Sequence, residues 1–273
     1  CFINLLLTIV GLTVVLAGGR NIVAFIYGWS LFVMGAGFLV MNGVPRVRRI
    51  CNDMACYRML VNDKLTRLCH NLQLIAARLL FKGASYRQLG EGLLALPSDY
   101  AYNDILAYQA LLEYYFYLDM NDYESMKRAL GKIKDERNLS HLIKSYYKIE
   151  LIYISLIDKI KSPQLWGLSK SYYQSLLKKA LAYDGQVKTD LSENYLLKHS
   201  IKGDLHFERV KAAFDAYHDL LSGSREKARE RLIMATHRIR NMGCLYQGEK
   251  EFCIRQLNLL IKHMDEMLDE KTG

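Results

Sequence analysis

Two uncharged apolar stretches at the start of the chain constrain its fold more than anything that follows. Phe2 to Ala17 reads FINLLLTIVGLTVVLA, and Ile22 to Val44 carries no charged residue either. A helix rises about 1.5 Å per residue, so the second stretch, about 23 residues, covers a hydrocarbon core of about 30 Å and the first falls slightly short. Neither shows the polar face of a helix packed on a soluble core. The sequence therefore predicts two membrane-spanning helices within residues 1–45, joined by Gly18-Gly19-Arg20-Asn21, in preference to an apolar hairpin buried in a soluble domain. A cleaved signal peptide fits poorly, because no basic segment precedes the first stretch and a second apolar one follows at once. So short a first helix, beginning at Cys1, leads us to expect further polypeptide upstream.

Charge sets the orientation. Only Arg20 is charged before Arg46, whereas Arg46, Arg48 and Arg49 crowd the far end of the second stretch. The positive-inside rule then makes this a multi-pass protein of the cell membrane, with residues 46–273 in the cytoplasm. The formal net charge of +9 suits a domain lying close to an anionic inner leaflet. Six cysteines, at 1, 51, 56, 69, 244 and 253, include no CxxC pair, which argues against a disulfide framework or a zinc knuckle.

Beyond residue 53 the periodicity is helical throughout. Proline occurs only at 45, 97 and 163, each at a break, and no sustained two-residue alternation appears. The spacing predicts helices near 54–82, 85–94, 103–118, 122–135, 139–160, 168–183, 190–201, 205–221, 225–241 and 248–269. Gly83 and Gly185 are candidate C-terminal caps, and Asp122, Ser140, Asp190 and Ser224 candidate N-caps. Two segments share a hairpin design: LLEYYFYLDMNDYESMKRAL (111–130) and AFDAYHDLLSGSREKARERL (213–232). They lie 102 residues apart, about three periods of a 34-residue tetratricopeptide repeat. The fold class expected is all-α: two transmembrane helices followed by an irregular tetratricopeptide-like solenoid. Its divisions are a hairpin at 1–45, a juxtamembrane segment at 46–100 and a helical domain at 101–273.

Such a stack offers a concave face to a protein or peptide partner. The 19 tyrosines either fill the layers between helices or line a ligand groove. The basic stretch SREKARERLIMATHRIR (224–240) is interrupted by Glu226 and Glu230 at i,i+4 spacing, so it reads as a solvated face, and nucleic acid is not an expected partner.

Candidate chemistry is sparse. None of the seven histidines forms HExxH or an i,i+4 pair; His199 and His206 stand seven apart across a glycine. No GxSxG, phosphate-binding glycine loop or Cys-His dyad is present, so this chain holds no complete active site. Asp53 remains. Its plain role is to cap the helix predicted at 54–82.

The order of features around it suggests another role. A charge-free helix with Gly28, Gly35 and Gly37 ends in MNGVP; basic residues follow, then Asn52-Asp53 before a helix. This resembles the second half of the catalytic core in the site-2-protease family of intramembrane zinc metallopeptidases. The stretch from Asn52 to Asp99 is similar to the cytoplasmic tail of some bacterial members. The resemblance implies that Asp53 is the third zinc ligand and that Asn42 and Pro45 match the family's Asn…Pro substrate-positioning element. Met54 stands where the family has Gly, and the interval from Pro45 to Asp53 is longer than in its best-known members. The HExxH pair, absent from this chain, would precede Cys1. Zinc at a catalytic site takes three protein ligands and keeps the fourth position for water. Asp53 therefore has a catalytic meaning only if histidines come from elsewhere. The expected function is the C-terminal portion of such a zinc metalloendopeptidase. The alternative is a non-enzymatic, membrane-anchored scaffold that recruits a cytoplasmic partner.

Overall fold

The computed structural model describes residues 2–18, 21–43, 53–134, 137–160, 196–197, 199, 201 and 203–269, and among these there are helices and turns but no strand. The first two helices, α1 (Phe2–Ala17) and α2 (Ile22–Gly43), pack against each other as an antiparallel hairpin. Their contact is made through glycine. A Cβ added to Gly11 would lie 2.3 Å from Phe32 N, one on Gly28 2.8 Å from Val15 N, and one on Gly35 2.6 Å from Thr8 N. Backbone contact of this kind through small residues is how apolar helices associate where burial of hydrocarbon gives no driving force. The outward side chains, Ile26, Val33 and Met41 among them, are exposed. Among the described residues one helix is long and apolar enough to cross a bilayer, over Ile22–Met41, and only 11% of its apolar window is buried within the protein. At 16 residues α1 is about 24 Å long and too short for a hydrocarbon core of about 30 Å. Of the two spanning helices expected, the described residues thus give one of sufficient length, with a shorter apolar helix packed on it.

The single long helix expected at 54–82 is corrected. It is two helices, α3 (Asp53–Asn62) and α4 (Lys64–Phe81), broken at Asp63. Asp63 takes an extended backbone and becomes the N-cap of α4, its carboxylate accepting from Leu65 N and from the hydroxyls of Thr66 and Tyr102. Arg67 turns back across the break. Its Nε donates to Leu60 O at 3.0 Å and its Nη2 to Val61 O at 3.1 Å, satisfying carbonyls that the end of α3 leaves open. The helix expected at 85–94 divides likewise into α5 (Tyr86–Leu89) and α6 (Glu91–Leu94), because Gly90 takes φ +81°.

Among the described residues six longer helices follow: α7 (Asp104–Asp119), α8 (Tyr123–Gly131), α9 (His141–Ile160), α10 (Leu205–Leu221), α11 (Arg225–Asn241) and α12 (Gln247–Asp269). The expected helices at 168–183 and 190–201, with caps Gly185 and Asp190, lie outside the described residues except for short pieces near Leu196. Asp122 caps α8 by accepting from Ser125 N. The Ser140 hydroxyl lies 3.5 Å from Ile143 N at the start of α9, and Ser224 occupies the N-cap of α11 with no side-chain bond. Gly83 closes α4 in a Schellman turn, with Gly83 N donating to Leu80 O and Ala84 N to Leu79 O.

The two similar hairpins turn identically. In α7–α8, Asn121 N donates to Leu118 O and Asp122 N to Tyr117 O; in α10–α11, Gly223 N donates to Leu220 O and Ser224 N to Asp219 O. Every position matches at the same 102-residue offset, and Asn121 and Gly223 both have positive φ.

At the centre stands α7, apolar on nearly every side. Its polar residues are buried, and each ties a neighbouring segment to the hub. The Asp104 carboxylate accepts from Ser140 N at the head of α9, and Gln109 Nε2 donates to Leu93 O and Leu94 O at the end of α6. Glu113 accepts from Leu96 N and from Lys132 Nζ. Asp119 accepts from Arg87 N on α5 and, in a bidentate pair, from Arg255 on α12. In a simple solenoid each hairpin meets only its neighbours. Here α12 returns to α4 and α5, and Gly248 lies against the carbonyl of Ala84. The same buried cluster runs from Cys69 and Leu80 through α7 to Phe252 and Leu260.

Candidate functional site

The residues singled out from the sequence bracket the segment between α2 and α3. Asn42 lies in the last turn of α2, Asp53 opens α3, and Pro45 lies outside the described residues. Among the described residues no group of three or more His, Cys, Asp or Glu is placed to hold a metal. A catalytic zinc needs three protein ligands, so the described residues do not form such a site by themselves, and no catalytic step is derived through zinc. His199 and His206 do not form a metal pair with a third ligand either.

His206 instead belongs to a buried polar centre that the sequence reading missed. Glu150 of α9 and Arg209 of α10 are both fully buried, with Arg209 Nη2 2.6 Å from each Glu150 carboxylate oxygen. Tyr114 donates its hydroxyl to Glu150 Oε2 at 2.8 Å and Tyr115 to Oε1 at 3.1 Å. The guanidinium lies 4.0 Å from the ring centre of Tyr153 and 5.3 Å from that of Phe252. His206 stacks on Tyr115 at 4.3 Å, its Nδ1 3.6 Å from Glu150 Oε1. Burial alone would lower the Arg209 pKa; the Glu150 carboxylate, together with Tyr153, Tyr114 and Cys253, outweighs it and holds the guanidinium charged. Burial, with Glu150 beside them, pushes the Tyr114 and Tyr115 hydroxyls far up, so they remain donors. The centre joins α7, α9, α10 and α12, and it answers the tyrosine question in part: Tyr86, Tyr114, Tyr115 and Tyr153 fill inter-helix layers. Its sequence signal is a charged residue at a core-facing position: Glu150 inside YYKIELIYI and Arg209 inside HFERVKAAF.

The surface carries a polar cleft of about 530 Å³ between α6, α7 and α8, lined by Glu91, Glu113, Tyr117, Arg128 and Lys132 among others. Tyr117 donates to Glu91 Oε1 at 2.6 Å. Partial burial and then this bond push its pKa up to about 12. The lining is thus charged, with Lys132 and Glu113 bonded to each other at 2.8 Å. The basic stretch of α11 is largely paired. Arg229 meets Asp265 on α12, while Arg231 and Lys227 meet Asp219 on α10. Arg238 lies 3.5 Å from Glu208.

No protein-family model matches the chain, and no curated protein or solved structure matches it at a significant level.

Proposed function

We propose that this chain is the C-terminal, membrane-anchored part of a site-2-protease-like zinc metalloendopeptidase, with Asp53 as one zinc ligand and the helical domain as a partner-binding tail. The observation that carries the reading is the placement of Asp53. It opens a helix ten residues beyond the last residue of α2, the one helix among the described residues long and apolar enough to cross a bilayer, with Asn42 in that helix's last turn. Arg46, Arg48 and Arg49 lie between them, which assigns this end and the helical domain to the cytoplasm. The remaining zinc ligands would come from another segment of polypeptide. The short helix α1 would then be the second leg of the anchor, held to α2 by the glycine contact. The matched α7–α8 and α10–α11 turns support a tetratricopeptide-like ancestry for the tail, and the polar cleft gives a partner peptide a place to bind.

The test compares Asp53→Asn with Asp53→Ala in the complete protein reconstituted in vesicles. Asn caps a helix about as well as Asp but is a far weaker zinc ligand. The reading expects Asp53→Asn to lose bound zinc and cleavage of a membrane-spanning substrate while helicity is kept. A variant that keeps both zinc and cleavage refutes it.

A membrane-anchored scaffold is the second reading, favoured by the self-contained closure of α4–α12 around α7. It is supported if the complete protein binds no zinc and Asp53→Ala costs only the roughly 1 kcal/mol of a lost helix-start contact.

A further inference from the structure

The positive charge of this chain is concentrated in one place. Residues 44–90 contain nine Lys and Arg against two Asp and Glu, a formal +7, whereas residues 91–273 contain 27 against 26. The basic segment is the one that follows α2 directly. Within it, α4 buries Thr66, Cys69, Ala76 and Leu80 and turns the opposite face outward. On that face Leu74 is 57% exposed and Phe81 59%, and Leu68 and Ile75 are exposed to about the same degree. Lys64, Arg78 and Lys82 share it. At 3.6 residues per turn these seven positions fall within an arc of about 140°. No acidic residue occurs anywhere in α4, and these three cations have no acidic partner among the described residues. On α3, Tyr57 and Val61 are exposed and Arg58 is the charged residue beside them.

Large apolar side chains interleaved with unpaired cations match an anionic bilayer interface: the hydrocarbon enters the headgroup boundary, and Lys and Arg reach the lipid phosphates. The chain's own geometry brings this face to such a surface. Nine residues separate α2 from α3, which fully extended reach at most about 30–35 Å. We propose that the outward face of α4, extended by α3, lies on the anionic membrane surface and docks the helical domain against the leaflet from which α2 emerges. The proposal rests on the reading that α2 spans the membrane.

The test is photocrosslinking of the complete protein in vesicles of phosphatidylcholine with or without phosphatidylserine. Benzoylphenylalanine is placed singly at Leu74 or Phe81, at Val33 on the exposed side of α2, and at Leu245 in the turn before α12. The expected result is lipid adducts at Leu74 and Phe81 that depend on phosphatidylserine, adducts at Val33 in both vesicles, and none at Leu245. Arg78→Gln and Lys82→Gln should each lower the Leu74 yield about fivefold, the effect of about 1 kcal/mol per basic residue at an anionic surface. Adducts at Val33 with none at Leu74 or Phe81 would overturn the docking while leaving the anchor intact. Adducts of doubled protein mass at Leu74 would assign the face to a second copy. Loss of the Val33 adduct as well would show that α2 does not span, and the docking would fall with it.

Discussion

Replacing Arg209 by Met tests whether the buried centre is an ion pair that the fold depends on. Arg209 and Glu150 are fully buried and bonded at 2.6 Å through a single guanidinium nitrogen, while Arg209 Nε and Nη1 have no acceptor among the described residues. Removing one member of a buried pair leaves an uncompensated charge and costs about 3–5 kcal/mol. Arg209→Met and Glu150→Gln are each expected in that range. The double variant behaves differently. No charge remains, and two unsatisfied donors disappear, each worth about 1–3 kcal/mol of desolvation. The glutamine carbonyl can still accept from Tyr114 or Tyr115. The double variant should therefore cost about 2 kcal/mol, less than either single change, with a coupling far above the roughly 0.5 kcal/mol of independent sites. Urea unfolding of the solubilised full chain, followed by the near-ultraviolet circular dichroism of the packed tyrosines, gives all three values. A single variant that loses less than about 1 kcal/mol, or a double equal to the sum of the singles, would refute the assignment of a charged, mutually dependent pair.

Four other outcomes follow from packing and titration. Gly248→Ala places a Cβ 1.9 Å from Ala84 O and should cost about 2–3 kcal/mol in urea unfolding, whereas Gly92→Ala, with nothing within 4 Å, should be neutral or stabilising. Gly28→Leu should force α1 from α2, read as a widened distance between spin labels on the two helices, while Gly37→Leu should leave it unchanged, since no atom lies within 4 Å of its added Cβ. Asp63→Ala should cost about 1–2 kcal/mol at pH 7. Burial draws the Asp63 pKa up, but bonds from Thr66, Tyr102 and Leu65 outweigh it and hold the carboxyl below 3.8. Its stabilisation is therefore present above that value and lost as pH falls through the folded pKa, so wild type and variant should converge in acid unfolding. Burial pushes the Cys69 thiol up to about 11 and the Cys253 thiol further, so neither should react with iodoacetamide at neutral pH until urea unfolds the chain, while partly exposed Cys56 should react before either of them.

How much of this was legible in the sequence depends on the distance over which each residue acts. Caps and turns act within a few residues, and Asp122, Gly83 and the turns at Asn121 and Gly223 occupy positions that the chain spells out locally. The break at Asp63 was hidden, because VNDKLTR is also acceptable inside a helix; the break is fixed by Tyr102, 39 residues away. In the sequence the polar residues of α7 do no more than interrupt an apolar run. Their roles depend on partners as remote as Arg255, 136 residues from Asp119, which no local periodicity can indicate. The candidate site was legible only as an order of features: a membrane helix with Asn42 near its end, basic residues, then Asp53. The structure places Asn42 near the end of α2 and Asp53 at the start of α3.

The break at Asp63 is where α3 and the helical domain are bonded together. Asp63 accepts from Tyr102, and Thr66 accepts from Asn103 Nδ2 at 2.8 Å. Asn103 in turn caps α7 through Leu106 N, and Gln73 on α4 donates to Ile105 O at 2.7 Å. The elbow between α3 and α4 is thus bonded to the N-terminal end of the central hub, which through Asp104 and Asp119 holds α9, α5 and α12. Whatever fixes α3 therefore orients the whole domain, because the bonds from Asp63, Thr66 and Gln73 leave no free hinge between α4 and α7 on that side. On the proposed reading, a partner bound in the cleft of α6–α8 would be carried in a fixed relation to α3. That constraint serves both readings of the function: a protease tail needs it to present substrate to Asp53, and a scaffold needs it to hold its partner near the lipid.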